Sequence, residues 1–310
     1  MKKKKSLLQK LDGLLRKFPK FLHHFGPKTY TARLHLKCLL LMEKLNCSFS
    51  KLYEFLHYFG VNHPPERSTL IKFRKRLPAE LWDDLLKASA GLELCEMGAI
   101  DSTGFSRSNA SSYFVKRIDR DIKTQRHLQL SIYVAVKERK VLSARLRAQP
   151  VHDNNEVSCL LKKSPCIAEV NLMDKAYDSN KTHALFRDRG KYSIIAVRKN
   201  CARGQYRKEM RDYFDYGLYW QRNIVESINS SVKRVYGSVC RGKTITTQRG
   251  EVYARLILHN LSLAIARLFH QSQWYHTIYK ALYIYIKEEK RTIKRLRLRK
   301  RLRKKGTSLS

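Results

Sequence analysis

The hydrophobic period of the chain changes near Leu94, and this change limits the fold more than any other feature of the sequence. Before it, apolar residues recur at helical spacing. Leu7, Leu8, Leu11, Leu14, Leu15, Phe18, Phe21 and Leu22 form one stripe, although Pro19 should kink or end that helix. Residues 31–46 and 49–59 carry the same pattern, and Gly60 stands where a helix C-cap is expected. After Pro64 and Pro65, with Ser68 as candidate N-cap, residues 70–77 predict a short helix with one apolar and one cationic face. Residues 1–90 thus read as an all-helical module. Beyond Leu94, residues 97–100, 128–136, 141–147, 170–173 and 192–197 are short and β-branched or alternating, which predicts strands. Helices are expected over 157–161, with Asp153 and Glu156 at capping-box spacing, and over 180–187, 223–235 and 252–270. Three strands without intervening helices imply an antiparallel meander, and the later alternation implies parallel crossovers. The expectation is a mixed α/β domain over 91–272, followed by a helical to basic tail over 273–310.

Charge narrows the partner. The 310 residues include 64 Lys or Arg against 26 Asp or Glu, a formal charge of +38. Such an excess repels itself in the compact state unless a polyanion neutralises it, which favours DNA or RNA over the substrates of an ordinary metabolic enzyme. With 43% apolar and 10% aromatic residues the chain can still bury a core. Its seven cysteines, at 38, 47, 95, 159, 166, 201 and 240, include no C-x-x-C pair, so a reducing cytosol is expected rather than a disulfide framework or zinc ribbon. Gln9, Lys10 and Asp12 interrupt what would be the apolar part of a signal peptide, and no apolar run approaches the ~20 residues that span a bilayer. Soluble, cytoplasmic behaviour without membrane contact is therefore expected. Eleven of the sixteen residues over 290–305 are basic; this run and Lys2 to Lys5 read as solvated tails that order only on a polyanion.

Three acids stand where a structural carboxylate would be unusual. Asp101 and Asp174 each follow an apolar strand, where sites collect in α/β sheets, although either alone reads equally as a turn former or cap. In YWQRNIVESINSSVK, offsets of three, four and seven place Tyr219, Arg222, Glu226 and Lys233 along one helix face, so one stripe holds anion binders on either side of a carboxylate.

The string Tyr-x2-Arg-x3-Glu-x6-Lys resembles the signature of the insertion-sequence DDE transposases of bacteria and archaea. Ile100-Asp101-Ser102-Thr103-Gly104-Phe105 and Met173-Asp174-Lys175-Ala176-Tyr177-Asp178-Ser179 resemble the segments holding that family's first and second Asp, in the required order. The run from Ser68 to Leu77 resembles the helical domain that precedes the catalytic domain. The resemblance spans about residues 30–265. It implies an RNase H-like α/β fold, a mixed five-stranded sheet flanked by helices, with Asp101 on the first strand, Asp174 at the fourth and Glu226 on a later helix. It further implies cleavage of element ends and joining of the 3′-hydroxyl to target DNA by two Mg²⁺ or Mn²⁺ ions held by those acids, Asp101 bridging, Asp174 on one and Glu226 on the other. Arg222 and Lys233 would hold DNA phosphates, with Tyr219 positioning the backbone or simply packing. A homodimer or higher synaptic assembly on DNA, at the nucleoid of a prokaryote, is implied as well. Some relatives carry a large β insertion before the Glu helix; only about residues 199–217 stand there in this chain. A catalytically silent DNA-binding protein and a simple nuclease of the same fold are the alternatives.

Other residues invite competing readings. Asp178 reads as a cap or turn acid, and His152-Asp153 as part of a helix start rather than a site. Asp119 and Asp121 read as local charge balance, and Trp220 as core rather than as a platform for an unpaired base. Lys72, Arg74, Lys75 and Arg76 form a cationic helix with helix-turn-helix flavour, whose expected role is binding DNA phosphates. The glycines form neither a dinucleotide fingerprint nor a P-loop, so no nucleotide cofactor is expected.

Overall fold

The computed structural model describes residues 6–22, 29–107, 127–198 and 203–266. Helix α1 (Leu7–Arg16) starts on a reciprocal cap in which the Ser6 hydroxyl accepts from the Gln9 N–H and the Gln9 side chain accepts from the Ser6 N–H. It ends ahead of Pro19, as the missing N–H and the ring of proline require. Helix α2 (Ala32–Lys44) is capped by Thr31, and α3 (Phe49–Phe55) by Ser48. The next residues tighten into a 3₁₀ turn over Leu56–Phe59, which closes on Gly60 at φ +71°, a conformation that glycine adopts without a Cβ penalty. Helix α4 (Arg67–Arg76) begins before Ser68, so that serine lies inside the first turn and does not cap it; Glu66 holds the cap position without a side-chain bond. Helix α5 (Ala79–Ala90) buries Leu81, Trp82, Leu85 and Leu86.

The sheet carries the expected topology. Strands β1 (Met97–Arg107), β2 (His127–Ala135) and β3 (Lys140–Arg147) form an antiparallel meander. Strands β4 (Val170–Met173) and β5 (Tyr192–Ile195) add in parallel beyond β1, giving the order β3-β2-β1-β4-β5. This is the RNase H-like arrangement of a meander continued by parallel crossovers. Two corrections apply. A sixth strand, β6 (Val239–Cys240), pairs in parallel with Ser106 and Arg107 of β1. Strand β1 also does not stop at Ile100 but runs to Arg107, because β2 pairs with it as far as Ser106↔His127.

One face of the sheet holds Ile100, Tyr133, Leu142, Met173 and Ile195 against Val157, Leu160 and Leu161 of α6 (Asn154–Lys163) and Phe186 of α7 (Asn180–Arg187). Gly98 is required there: a Cβ would come within 2.5 Å of the Tyr133 ring, whose hydroxyl donates to Asn171 Oδ1 at 2.6 Å. The expected Asp153–Glu156 capping box does not form. Buried Glu156 turns to Arg145 and Arg147 of β3, and Asp153 accepts from Gln129 Nε2 at 2.9 Å. A buried carboxylate gains more from two guanidinium groups than from one backbone N–H. Residues alternate across β1, so Asp101, Thr103 and Phe105 lie on the other face. That face is met by α10 (Asn223–Tyr236), which follows α8 (Gln205–Asp212) and the four-residue α9 (Tyr216–Tyr219).

Helix α11 (Ile245–Ala266) binds the helical N-terminal region to the sheet. Its Arg255, almost wholly buried, donates to Glu43 of α2 at 2.9 Å and to the carbonyls of Gly237 and Val239 at 2.9 and 3.0 Å. Asn260 bonds both the N–H and the C=O of Val141 on edge strand β3. Among the described residues six cysteines are free thiols, and no helix is long and apolar enough to cross a membrane. The basic run over 290–305, Lys2 to Lys5, and Asp119 and Asp121 lie outside the described residues.

Candidate active site

Pairing between β1 and β4 ends at Ile100↔Met173. Asp101 and Asp174 are the next residues on these two parallel neighbours, whose backbones lie about 4.8 Å apart in a sheet. The ladder therefore delivers both acids to one place, although they are 73 residues apart in sequence. Asp101 remains inside β1 because β2 keeps pairing on the other edge, whereas Asp174 leaves β4 into a 3₁₀ turn over Lys175–Tyr177.

The third acid comes from the helical segment. The stripe from Tyr219 to Lys233 is not one continuous helix: Tyr219 ends α9, Arg222 lies in a 3₁₀ turn over Trp220–Arg222, and Glu226 and Lys233 lie on α10. The three pieces still aim together. Arg222 pairs with Glu226 at 2.9 Å, and the Tyr219 hydroxyl donates to Asp174 Oδ1 at 3.4 Å. Lys233 Nζ donates to Thr103 Oγ1 at 2.5 Å and lies 5.4 Å from the centre of the Phe105 ring. Thr103 is not among the residues that the sequence pattern singles out; its position two residues after Asp101, on the same strand face, is the signal that marks it.

Electrostatics tie the group together. Burial pushes the Asp101 carboxyl up to about 6, with Glu226 and Asp174 adding to the rise and the Ser102 N–H and Arg222 opposing it. Burial works against the charge of Arg222, yet Asp174, Tyr219, Glu226 and Asp101 outweigh it and hold the guanidinium above its ordinary value. Burial raises the Tyr219 hydroxyl, and the Asp174 charge raises it further. Burial lowers Lys233, and the Asp101 charge opposes that. Arg222 is thus a counter-ion whose charge Asp174, Glu226 and Asp101 all favour, with the direct pair made to Glu226.

Among the described residues no three carboxylate, imidazole or thiol groups stand close enough to hold one ion together. The donors nevertheless suit a hard divalent cation in kind. They are carboxylates alone, and the rise in Asp101 caused by Glu226 and Asp174 is repulsion that a cation would relieve.

The remaining candidates divide. Lys72, Lys75 and Arg76 are exposed on α4. Arg74 is corrected: its side chain is 11% exposed, forms an ion pair with Glu251 and donates to the Thr247 carbonyl at 3.1 Å, so it belongs to the interior. Trp220 is corrected in the opposite sense, being 65% exposed rather than core. Asp178 is structural: the Arg207 fork bonds it at 2.6 and 2.7 Å, and the Arg198 N–H at 2.9 Å. Burial alone would raise this carboxyl, but those donors outweigh it and hold it below the usual range.

Residues 96–261, more than half of the chain, match the family described as "Transposase DDE domain". No curated protein matches the sequence. A cryo-EM structure of a piggyBac transposase synaptic complex with hairpin DNA is similar at a TM-score of 0.45 and 9% identity, over 83% of this chain and 70% of that one.

Proposed function

Because this chain belongs to the transposase DDE domain family, and is thus a DNA transposase, we propose that Asp101, Asp174 and Glu226 are the acids that cut and join its DNA. What supports this reading is that Asp101 and Asp174 follow the last paired residues of adjacent parallel strands, and that Glu226 of α10 pairs with Arg222, whose charge both of them favour. Two Mg²⁺ or Mn²⁺ ions, with Asp101 shared and Asp174 and Glu226 holding one each, would supply an activated water and stabilise the leaving oxygen.

The chain's own residues do the positioning. Arg222 is forked and keeps its charge in any working buffer, so it suits two oxygens of a phosphate beside the acids, while Lys233 acts as a point charge about three turns further along the same face. Tyr219, bonded to Asp174, fixes that carboxylate or the adjacent backbone. Lys72, Lys75 and Arg76 of α4 extend the phosphate contacts into the N-terminal region, so that residues 1–90 engage DNA and 91–272 perform the chemistry, with 273–310 as a basic tail. In this reading the element is a prokaryotic insertion sequence, its transposase working at the nucleoid as a dimer or larger assembly that holds two ends. Hydrolysis at the element end frees a 3′-hydroxyl, which then displaces a phosphodiester of the target.

The test supplies purified protein with DNA from the borders of the gene, a target plasmid and Mg²⁺ or Mn²⁺, and follows binding, nicking and joined product. Joined product that requires all three acids supports the proposal. Nicking without joining would make the chain a nuclease, and binding alone would make it a silent DNA-binding protein.

A further inference from the structure

Helix α10 and the turn before it present four residues to the face of β1 that carries Asp101. Arg222, Glu226, Asn229 and Lys233 follow at intervals of four, three and four, which at helical pitch places them within about 60° of one another. Glu226 pairs with Arg222, and Lys233 bonds Thr103. Asn229 lies between them, is 7% exposed, and has an amide nitrogen buried without a hydrogen-bond partner. The Arg222 Nε is buried and unpartnered in the same way.

Buried asparagines elsewhere in this chain are satisfied. Asn171 Nδ2 donates to the Ala168 and Tyr192 carbonyls, and Asn260 Nδ2 donates to Val141 O and Ser89 Oγ. A buried donor left open is costly and uncommon in a native interior, and an apolar residue would serve the DNA-free fold better at position 229.

We propose that Asn229 is a further substrate-contacting residue, its amide donating to a non-bridging oxygen of a DNA phosphodiester beside Glu226, on the strand whose neighbouring phosphates Arg222 and Lys233 hold. Two open donors flanking a carboxylate, with a lysine on the same stripe, call for an anion that offers several oxygens, and a phosphodiester is such an anion. Asn229 stands one helical turn from Glu226, whose 55% exposure marks the open end of this face. The inference rests on the reading of Asp101, Asp174 and Glu226 as catalytic acids.

The experiment uses the full chain with Mg²⁺ or Mn²⁺ and a supercoiled plasmid carrying the gene with its flanking DNA, comparing wild type, Asn229→Ala, Asn229→Leu and Asp174→Ala. Nicking by both Asn229 variants should fall about tenfold or more, while their thermal midpoints stay level or rise because the open donor is gone. Unchanged nicking would overturn the proposal. So would a loss of nicking that accompanies a lowered midpoint in both variants, since a structural role predicts that pairing. If wild type nicks, Asp174→Ala does not, and the Asn229 variants match wild type, this proposal falls while the catalytic reading stands. An inactive wild type, or an active Asp174→Ala, removes the catalytic reading and this inference with it.

Discussion

Asp174 is the acid whose removal best separates chemistry from binding. Its carboxylate is one charge beside a strongly basic surface, and the cationic surface supplies most of the sequence-independent affinity for DNA. Asp174→Ala should therefore abolish nicking and joining, while gel-shift affinity changes by about twofold or less; a matching loss of affinity would move Asp174 out of the chemistry. Histidine supplies a pH prediction. Burial holds the His183 imidazole down at about 4, with Asp178 opposing, while its Nδ1 lies 2.7 Å from Ser193 Oγ. The unfolded chain binds this proton near the ordinary value of about 6.5, so the contribution of His183 to stability is present above that pH and is lost as pH falls toward 4. Asp101, raised to about 6 without an ion, acts in the opposite sense over the same window and loses stability as pH rises through 6. Wild type alone would blur the two. The difference in urea midpoint between wild type and His183→Gln should shrink from pH 7 to pH 4; a difference independent of pH would refute the buried-neutral assignment.

At the scale of elements, much of the order is legible in the sequence. The helical stripes of α1 to α3 and the apolar cores of β2 to β5 mark themselves by period, and Gly60 closes its helix where expected. The second half of β1 is hidden because Ser102, Thr103 and Gly104 are small or polar. Their partners are specific: Ser102 bonds Ser131 Oγ and Tyr177 OH, and Thr103 meets Lys233, so the strand is held by polar pairs that an apolar pattern cannot register. The apolar runs ahead of Asp101 and Asp174, which form strands paired as far as Ile100↔Met173, are legible. The reversal of Arg74 and Trp220 is not, because burial of a guanidinium depends on a carboxylate 177 positions away, and exposure of an indole depends on which side of a short turn it leaves. The Glu43–Arg255 pair between α2 and α11 gives a prediction at this scale. Arg255→Met would leave Glu43 buried without the guanidinium it is bonded to, take one of two guanidinium partners from Glu251 and strip two carbonyls, so it should cost about 3–5 kcal/mol in urea unfolding, whereas an exposed change such as Lys75→Ala should cost less than about 0.5 kcal/mol.

Across the whole molecule, the net charge of +38 makes salt the natural probe. The logarithm of DNA affinity should fall linearly with the logarithm of salt concentration, and Lys75→Ala should reduce that slope by about one, the share of a single neutralised phosphate. Arg74→Ala should leave the slope unchanged and lower the thermal midpoint instead, because Arg74 faces Glu251 rather than solvent. Equal slopes for Lys75→Ala and wild type would place α4 away from the DNA.

One strand edge has a consequence for how such a site tolerates change. Strand β4 leaves β1 after Ile100, β6 joins it at Ser106, and the Ser106 N–H donates to the Ser238 carbonyl at 3.0 Å. Between the two, residues 101–105 of β1 have no strand partner on that edge, and the gap is bounded by segments far apart in the gene. The length of that gap depends on where the chain after Gly237 lets β6 dock, so gaining or losing one residue there would shift its far boundary with Asp101 and Asp174 still in place.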